Sequence, residues 1–73
     1  MLAATDGSAP ERAWRVRSIR EEYQIIDALG LCPRVQSLVT QRRRPYDLQR
    51  VVDPRSGAER ELWFDISAFF GRW

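Results

Sequence analysis

The sequence predicts an α+β fold: one helix packed on a three-stranded antiparallel β-meander, with a short turn at the carboxyl end. Three observations point there. A capped run of apolar residues at helical spacing fills residues 18–30. Three β-prone stretches follow it, the last with regular alternation. Between the second and third lies Asp53-Pro54-Arg55-Ser56-Gly57. There Asp opens a turn, Pro fixes φ, and Gly supplies the left-handed residue of a bulged hairpin loop.

Residues 1–11 read as an N-terminal tail, because small and polar residues dominate and no apolar period is present. Residues 12–73 form the single small domain. Arg12 to Arg17 alternates, with Trp14 and Val16 on one side and Arg15 and Arg17 on the other, which suits a short strand or extended lead-in. Ser18 and Glu21 have the spacing of a capping box, the hydroxyl taking the Glu21 amide and the carboxylate returning to Ser18. Ile19, Tyr23, Ile26 and Leu29 then form an apolar stripe that Ile25 widens. Gly30 suits the left-handed position that ends a helix, and Pro33 prevents its resumption. The predicted helix is Ile19–Leu29.

The predicted strands are Val35–Thr40, Tyr46–Val52 and Glu59–Ile66. Gln41 to Pro45, polar and closed by Pro, is predicted as the loop between the first two. Leu62, Phe64 and Ile66 should face the stripe of Ile19, Tyr23 and Ile26, with Glu61, Trp63 and Asp65 opposite. Ser67 should cap a final turn, Ala68–Phe70, ended by Gly71.

Composition removes several classes of function. Cys32 is the only cysteine and histidine is absent. No disulfide can form within the chain, and a catalytic zinc, a Cys-His pair and a Ser-His-Asp triad each lack their imidazole. With neither His nor Lys, groups that move protons near neutrality are missing, so no enzyme, no cofactor and no metal are expected. Cys32 reads as a small buried apolar residue. Asp65, between Phe64 and Ile66, is expected to pair with Arg15, Arg17 or Arg60, or with the amides after Ser67, rather than to act as an acid or base. No apolar run reaches the length of a membrane span, and Met1 to Pro10 lacks the features of a secretion signal, so a cytoplasmic location is expected.

All twelve basic residues are arginine and the net charge is +2. Codon bias in a G- and C-rich genome accounts for this, as would selection for bidentate anion recognition. Arg42, Arg43 and Arg44 occupy a loop tip. They read either as a solvated turn that discourages strand-edge aggregation or as an anion contact. Five of the eight aromatics lie in the last twelve residues. A three-stranded sheet with one helix hides a single face, which leaves Trp63, and Val51 with it, on the uncovered side unless Trp14 folds back across them.

The block Glu61-Leu62-Trp63-Phe64-Asp65-Ile66-Ser67-Ala68-Phe69-Phe70-Gly71, reached through Arg44-Pro45-Tyr46-Asp47-Leu48, resembles the end of a group of small uncharacterised bacterial proteins. Their pattern is aromatic-Phe-Asp-Ile-Ser-x-Phe-aromatic-Gly. Many of them look like zinc ribbons, with a Cys-Pro-x-Cys-like pair after the helix and a Cys-x-x-Cys-Gly pair at the hairpin. Here the first pair would be Cys32-Pro33-Arg34-Val35, keeping only Cys32. The second would be Asp53-Pro54-Arg55-Ser56-Gly57, keeping only Gly57. The resemblance spans residues 18 to 71 and implies a metal-free version of that layout, with hairpin and aromatic packing in place of zinc. It implies no activity.

The functional expectation is a non-catalytic interaction module or accessory subunit. It would self-associate or dock on a protein partner through Trp14, Trp63, Phe69, Phe70 and Trp73. The alternative is an RNA- or phosphate-binding domain that uses Arg42, Arg43 and Arg44.

Overall fold

A computed structural model describes residues 6–70. A 3-10 turn at Pro10–Arg12 leads into β1 (Trp14–Arg15), α1 (Ile19–Ala28), β2 (Cys32–Gln41), β3 (Arg44–Val52) and β4 (Glu59–Asp65). The sheet order is β1-β4-β3-β2. The two hairpins are antiparallel, whereas β1 runs parallel to β4, with Trp14 opposite Phe64 and Arg15 opposite Asp65. The α+β class stands, but the sheet is mixed and four-stranded rather than a three-stranded meander. The cause is the outer edge of β4, whose unpaired amides and carbonyls the chain before the helix covers. Trp63 N–H donates to the Gly7 carbonyl at 2.7 Å and Val16 N–H to the Asp65 carbonyl at 3.2 Å. Residues 6–11, expected as part of a tail, therefore lie against the sheet.

Local signals set both ends of α1. Glu21 N–H donates to Ser18 Oγ at 3.2 Å. The return arm of the capping box lands one residue early, because Glu21 Oε1 accepts from the Arg17 amide at 2.6 Å. At the other end Gly30, at φ 73, lets its own N–H reach the Asp27 carbonyl and the Leu31 N–H reach the Ile26 carbonyl. These two bonds form a Schellman motif, and the buried Leu31 and Ile26 supply its apolar contact.

Helix orientation departs from the predicted stripe. Ile19, Tyr23 and Leu29 are exposed, and the residues turned to the sheet are Glu22 and Ile26, with Ile25 half-buried. Strand register explains the rotation. Asp47 lies opposite Phe64 and Gln49 opposite Leu62, so β3 presents Asp47, Gln49 and Val51 to the helix. A helix over two polar side chains turns a polar residue toward them. Val51, expected on the uncovered side, is fully buried for the same reason.

The apolar core comprises Val16, Ile26, Leu31, Val51, Leu62, Phe64 and Ile66, with Trp14, Ile25 and Phe69 packed against it. Each large apolar side chain buried there is worth about 1.5–3 kcal/mol. The molecule measures 35 × 35 × 18 Å, the thickness of one helix layer on one sheet.

Both hairpins form. Asp53 takes the Ser56 and Gly57 amides on its carbonyl and the Arg55 amide on its side chain, while Gly57 adopts φ 75. The first turn is tighter than the predicted loop: Gln41 pairs with Arg44, leaving only Arg42 and Arg43 between the strands. Pro45 belongs to β3, opposite Thr40. The C-terminal turn hangs on the Ile66 carbonyl, which accepts from Phe69 and Phe70. Asp65, not Ser67, caps it, accepting from the Ser67 amide and hydroxyl.

Two glycine substitutions should separate backbone strain from steric strain. Gly30→Ala meets nothing within 4 Å, so its cost is conformational, about 1 kcal/mol. Gly7→Ala, at φ 76, would also bring its Cβ to 2.6 Å from Trp14 Nε1. Urea denaturation should find Gly7→Ala the more destabilising of the two.

Candidate functional site

Beneath α1, where the sequence suggested only apolar contact, sits a polar cluster. Gln49 Nε2 donates to Glu22 Oε1 at 3.1 Å and Gln36 Nε2 to Asp47 Oδ2 at 3.0 Å. The Tyr23 hydroxyl reaches Gln36 Oε1 at 3.4 Å. Glu22 is wholly enclosed, and its Oε2 makes no hydrogen bond among the described residues. Burial, and then the neighbouring Asp47 carboxylate, push the Glu22 carboxyl up to about 8, against a smaller pull from Gln49. A proton on Oε2 converts repulsion by Asp47 into a donor–acceptor contact. Its Glu22–Gln49 end is buried, while Tyr23 and Gln36 bring the other end to the surface.

Among the described residues no helix covers the other face of the sheet. Register places Val39, Tyr46 and Asp65 in one row across it, and Ser37, Leu48 and Trp63 in the next. Tyr46 and Trp63 meet edge to face at 5.8 Å and 83°, which leaves Tyr46 buried and Trp63 half-buried. Beside them an open hollow of about 610 Å³ is lined by Trp14, Arg15, Arg44, Tyr46 and Asp65, among others. Its buried acid is engaged. Burial works against the Asp65 charge, but the Ser67 hydroxyl and amide and the Arg44 guanidinium, at 3.1 Å, outweigh it and hold the carboxyl below its ordinary value. Arg44 thus takes the pairing role expected of Arg15, Arg17 or Arg60, although Arg15 lies opposite Asp65 in the sheet and lines the same hollow.

The expected interface aromatics are spread around the molecule rather than gathered. The Trp14 indole is half-buried against the core, close to Gly7. Trp63 lies on the open face, Phe69 packs on the core, and Phe70 is 42% exposed. Trp73 lies outside the described residues. Arg42 and Arg43 form the exposed turn between β2 and β3, both in the left-handed region at φ 50 and 64, while Arg44 points to Asp65 on the open face. Cys32, expected to be buried, is exposed at the start of β2. It pairs with Val52, next to the Asp53–Gly57 turn. Among the described residues no three His, Cys, Asp or Glu side chains gather as a metal site requires, and no helix is long and apolar enough to cross a membrane.

One surface has no counterpart among the expected site residues. β2 is the outer strand of the sheet, and every residue in it is exposed except half-buried Val39. Val35 and Leu38, at 54% and 59%, are the most exposed large apolar side chains among the described residues. The sequence carries a signal for this surface: seven consecutive residues, Val35 to Gln41, without a charge, bracketed by Arg34 and Arg42.

No protein-family model matches the chain, and neither a curated protein nor a solved structure matches it.

Glu22 makes the fold pH-dependent in a defined direction. Its carboxyl lies near 4.5 when free in the unfolded chain and near 8 when folded, so the native state binds the proton more tightly between those values. The stability it contributes is complete below 4.5 and is lost as pH rises through 8. Asp65, held low, acts oppositely: its contribution is present above 3.8 and is lost as pH falls below that value. Glu22→Gln should therefore unfold like wild type at pH 5 and be more stable by about 1–3 kcal/mol at pH 8.5. Denaturant titration at the two pH values checks it.

Proposed function

We propose that this chain is a non-catalytic interaction module or small accessory subunit. It associates through the exposed side of its sheet, the outer strand β2 and the adjoining open face around Trp63. The observation that carries this reading is β2 itself, a ten-residue outer strand with Val35 and Leu38 in water. Natural proteins blunt such edges with charges, prolines or bulges; past the Pro33–Arg34 bulge the stretch Val35–Gln41 carries none of these, which makes it a template for another strand. A non-catalytic role is supported by the acids. The carboxyl poised near neutrality is sealed under the helix, and Asp65 is neutralised by Arg44 and Ser67.

Anion or RNA binding at the β2–β3 turn is kept as a second reading on one specific observation. Arg42 and Arg43 both hold positive φ, where Asn-Gly would sit at lower cost.

Affinity capture followed by reconstitution with purified components tests the first reading. Val35→Lys or Leu38→Lys on β2, or Trp63→Ala on the open face, should abolish association while the circular dichroism spectrum stays native. A wild-type chain that neither self-associates nor binds a reconstituted partner more tightly than about 100 μM sinks it. Replacing Arg42-Arg43 with Asn-Gly tests the second. The variant should be more stable by about 1–2 kcal/mol, and any salt-dependent RNA binding should weaken. RNA affinity untouched by that change removes the turn from consideration.

A further inference from the structure

The reading of β2 as an interaction surface can be carried to the identity of what it meets. We infer that the strand added to β2 is β2 of a second copy of this chain, antiparallel about a two-fold axis at Ser37. The inference rests on the interaction-module reading and goes further by naming the partner.

Backbone phase comes first. In a two-residue hairpin the residues flanking the turn exchange both hydrogen bonds, so Gln41 directs its amide and carbonyl to Arg44. Alternation then turns the main-chain groups of Val39, Ser37 and Val35 inward to β3, and those of Thr40, Leu38 and Gln36 outward. A bond in β3 confirms the phase. The Pro45 carbonyl, opposite Thr40, accepts from Ile66 N–H on the β4 side, as the alternation requires. The outer edge therefore offers Gln36, Leu38 and Thr40 to a new strand.

Charge decides the register. Three antiparallel pairings of β2 with itself bring outward groups together near the middle of the uncharged stretch, centred on Ser37, Leu38 or Val39. The last drives the Arg42–Arg43 turn against Gln36 and Val35 of the other copy. With Leu38 on the axis, Arg34 of one copy stands opposite Arg42 of the other, an unfavourable like-charge pair. With Ser37 on the axis, Arg34 stands opposite Thr40 and Arg42 opposite Cys32, so no arginine meets another. The Ser37 register joins Gln36 to Leu38 through main-chain bonds, sets Val35 against Val39 on the open face, and pairs Ser37 with itself. It covers both Val35 and Leu38, the two most exposed large apolar side chains among the described residues.

The devices that blunt an edge stand at the limits of this stretch and not within it. The β2–β3 ladder skips a residue between Pro33 and Val35, making a bulge at Arg34, and the arginine turn closes the other end. Between them the strand carries no charge, no proline and no bulge. The other edge of the sheet is already closed by β1 and Gly7, so pairing through β2 makes a closed dimer rather than a filament. The two helices lie on the same face of the joined sheet. Tyr23, 41% exposed and bonded to Gln36 of β2, flanks the junction from that side.

The single native cysteine allows a direct test. In a Cys32→Ser background, Ser37→Cys places two thiols across a non-hydrogen-bonded pair, where Cα atoms stand about 4.5 Å apart, within disulfide range. Oxidised glutathione should convert this full-length variant to a covalent dimer, whereas Val39→Cys in the same background should not cross-link. By sedimentation the wild-type chain should run as a dimer. Leu38→Lys and Val35→Lys should each weaken association at least tenfold while the circular dichroism spectrum is unchanged. A monomer at all concentrations up to about 100 μM overturns the inference. So does an open-ended series of oligomers, or cross-linking at Val39→Cys in place of Ser37→Cys. A monomer that still binds a different purified protein through β2, or a dimer dissolved by Trp63→Ala and indifferent to Leu38→Lys, overturns this inference and leaves the interaction-module reading standing.

Discussion

The architecture turns on the phase of β3, which directs Asp47 and Gln49, not Tyr46 and Leu48, under the helix. Buried amides and carboxyls are tolerable only when bonded to one another. The helix therefore offers Glu22 to Gln49, and β2 offers Gln36 to Asp47. Orienting Glu22 inward turns Ile19 and Tyr23 out to water. The same choice divides the interior. The apolar half, around Leu62, Phe64, Ile66 and Ile26, anchors the helix, while the side toward β2 is held by polar bonds. Because those bonds cover so little of β2, the strand is left almost wholly in solvent.

The two sheet edges are treated differently. On the β4 side the chain closes its own edge with β1 and the Gly7 carbonyl, and Trp14 packs close to Gly7, where a methyl group would collide with the indole. On the β2 side nothing of the described chain lies beyond the strand. Protection there is confined to the Pro33–Arg34 bulge and the Arg42–Arg43 turn. Both are polar brackets around an uncharged centre. The contrast between a closed edge and an open one is what gives the proposed function its location.

Features written in neighbouring residues were legible. Ser18 and Glu21 announce the start of the helix, Gly30 its end, and Asp53 to Gly57 the hairpin loop, because each makes its bonds within a few positions. The helix face was not legible. An apolar stripe through Ile19, Tyr23 and Leu29 looks stronger than one containing Glu22, and only the Asp47 and Gln49 side chains across the interface reverse that preference. Of the expected surface aromatics, Trp63 was placed on the open face correctly, whereas Trp14, opposite Phe64, packs half-buried against the core. The β2 surface was visible as an uncharged run, but nothing in one strand says that it lies outermost.

The chain's own order of residues settled which segments become helix, strand and turn, since those outcomes depend on capping, alternation and turn chemistry over short spans. Three things were settled only when distant segments met. These are the rotation of α1, the parallel pairing of β1 with β4, and the choice of β2 as the open edge. Each depends on which polar groups remain unpaired after the hairpins close. That inventory exists only in the folded chain, where Trp14 stands beside Phe64 and Glu22 beside Gln49.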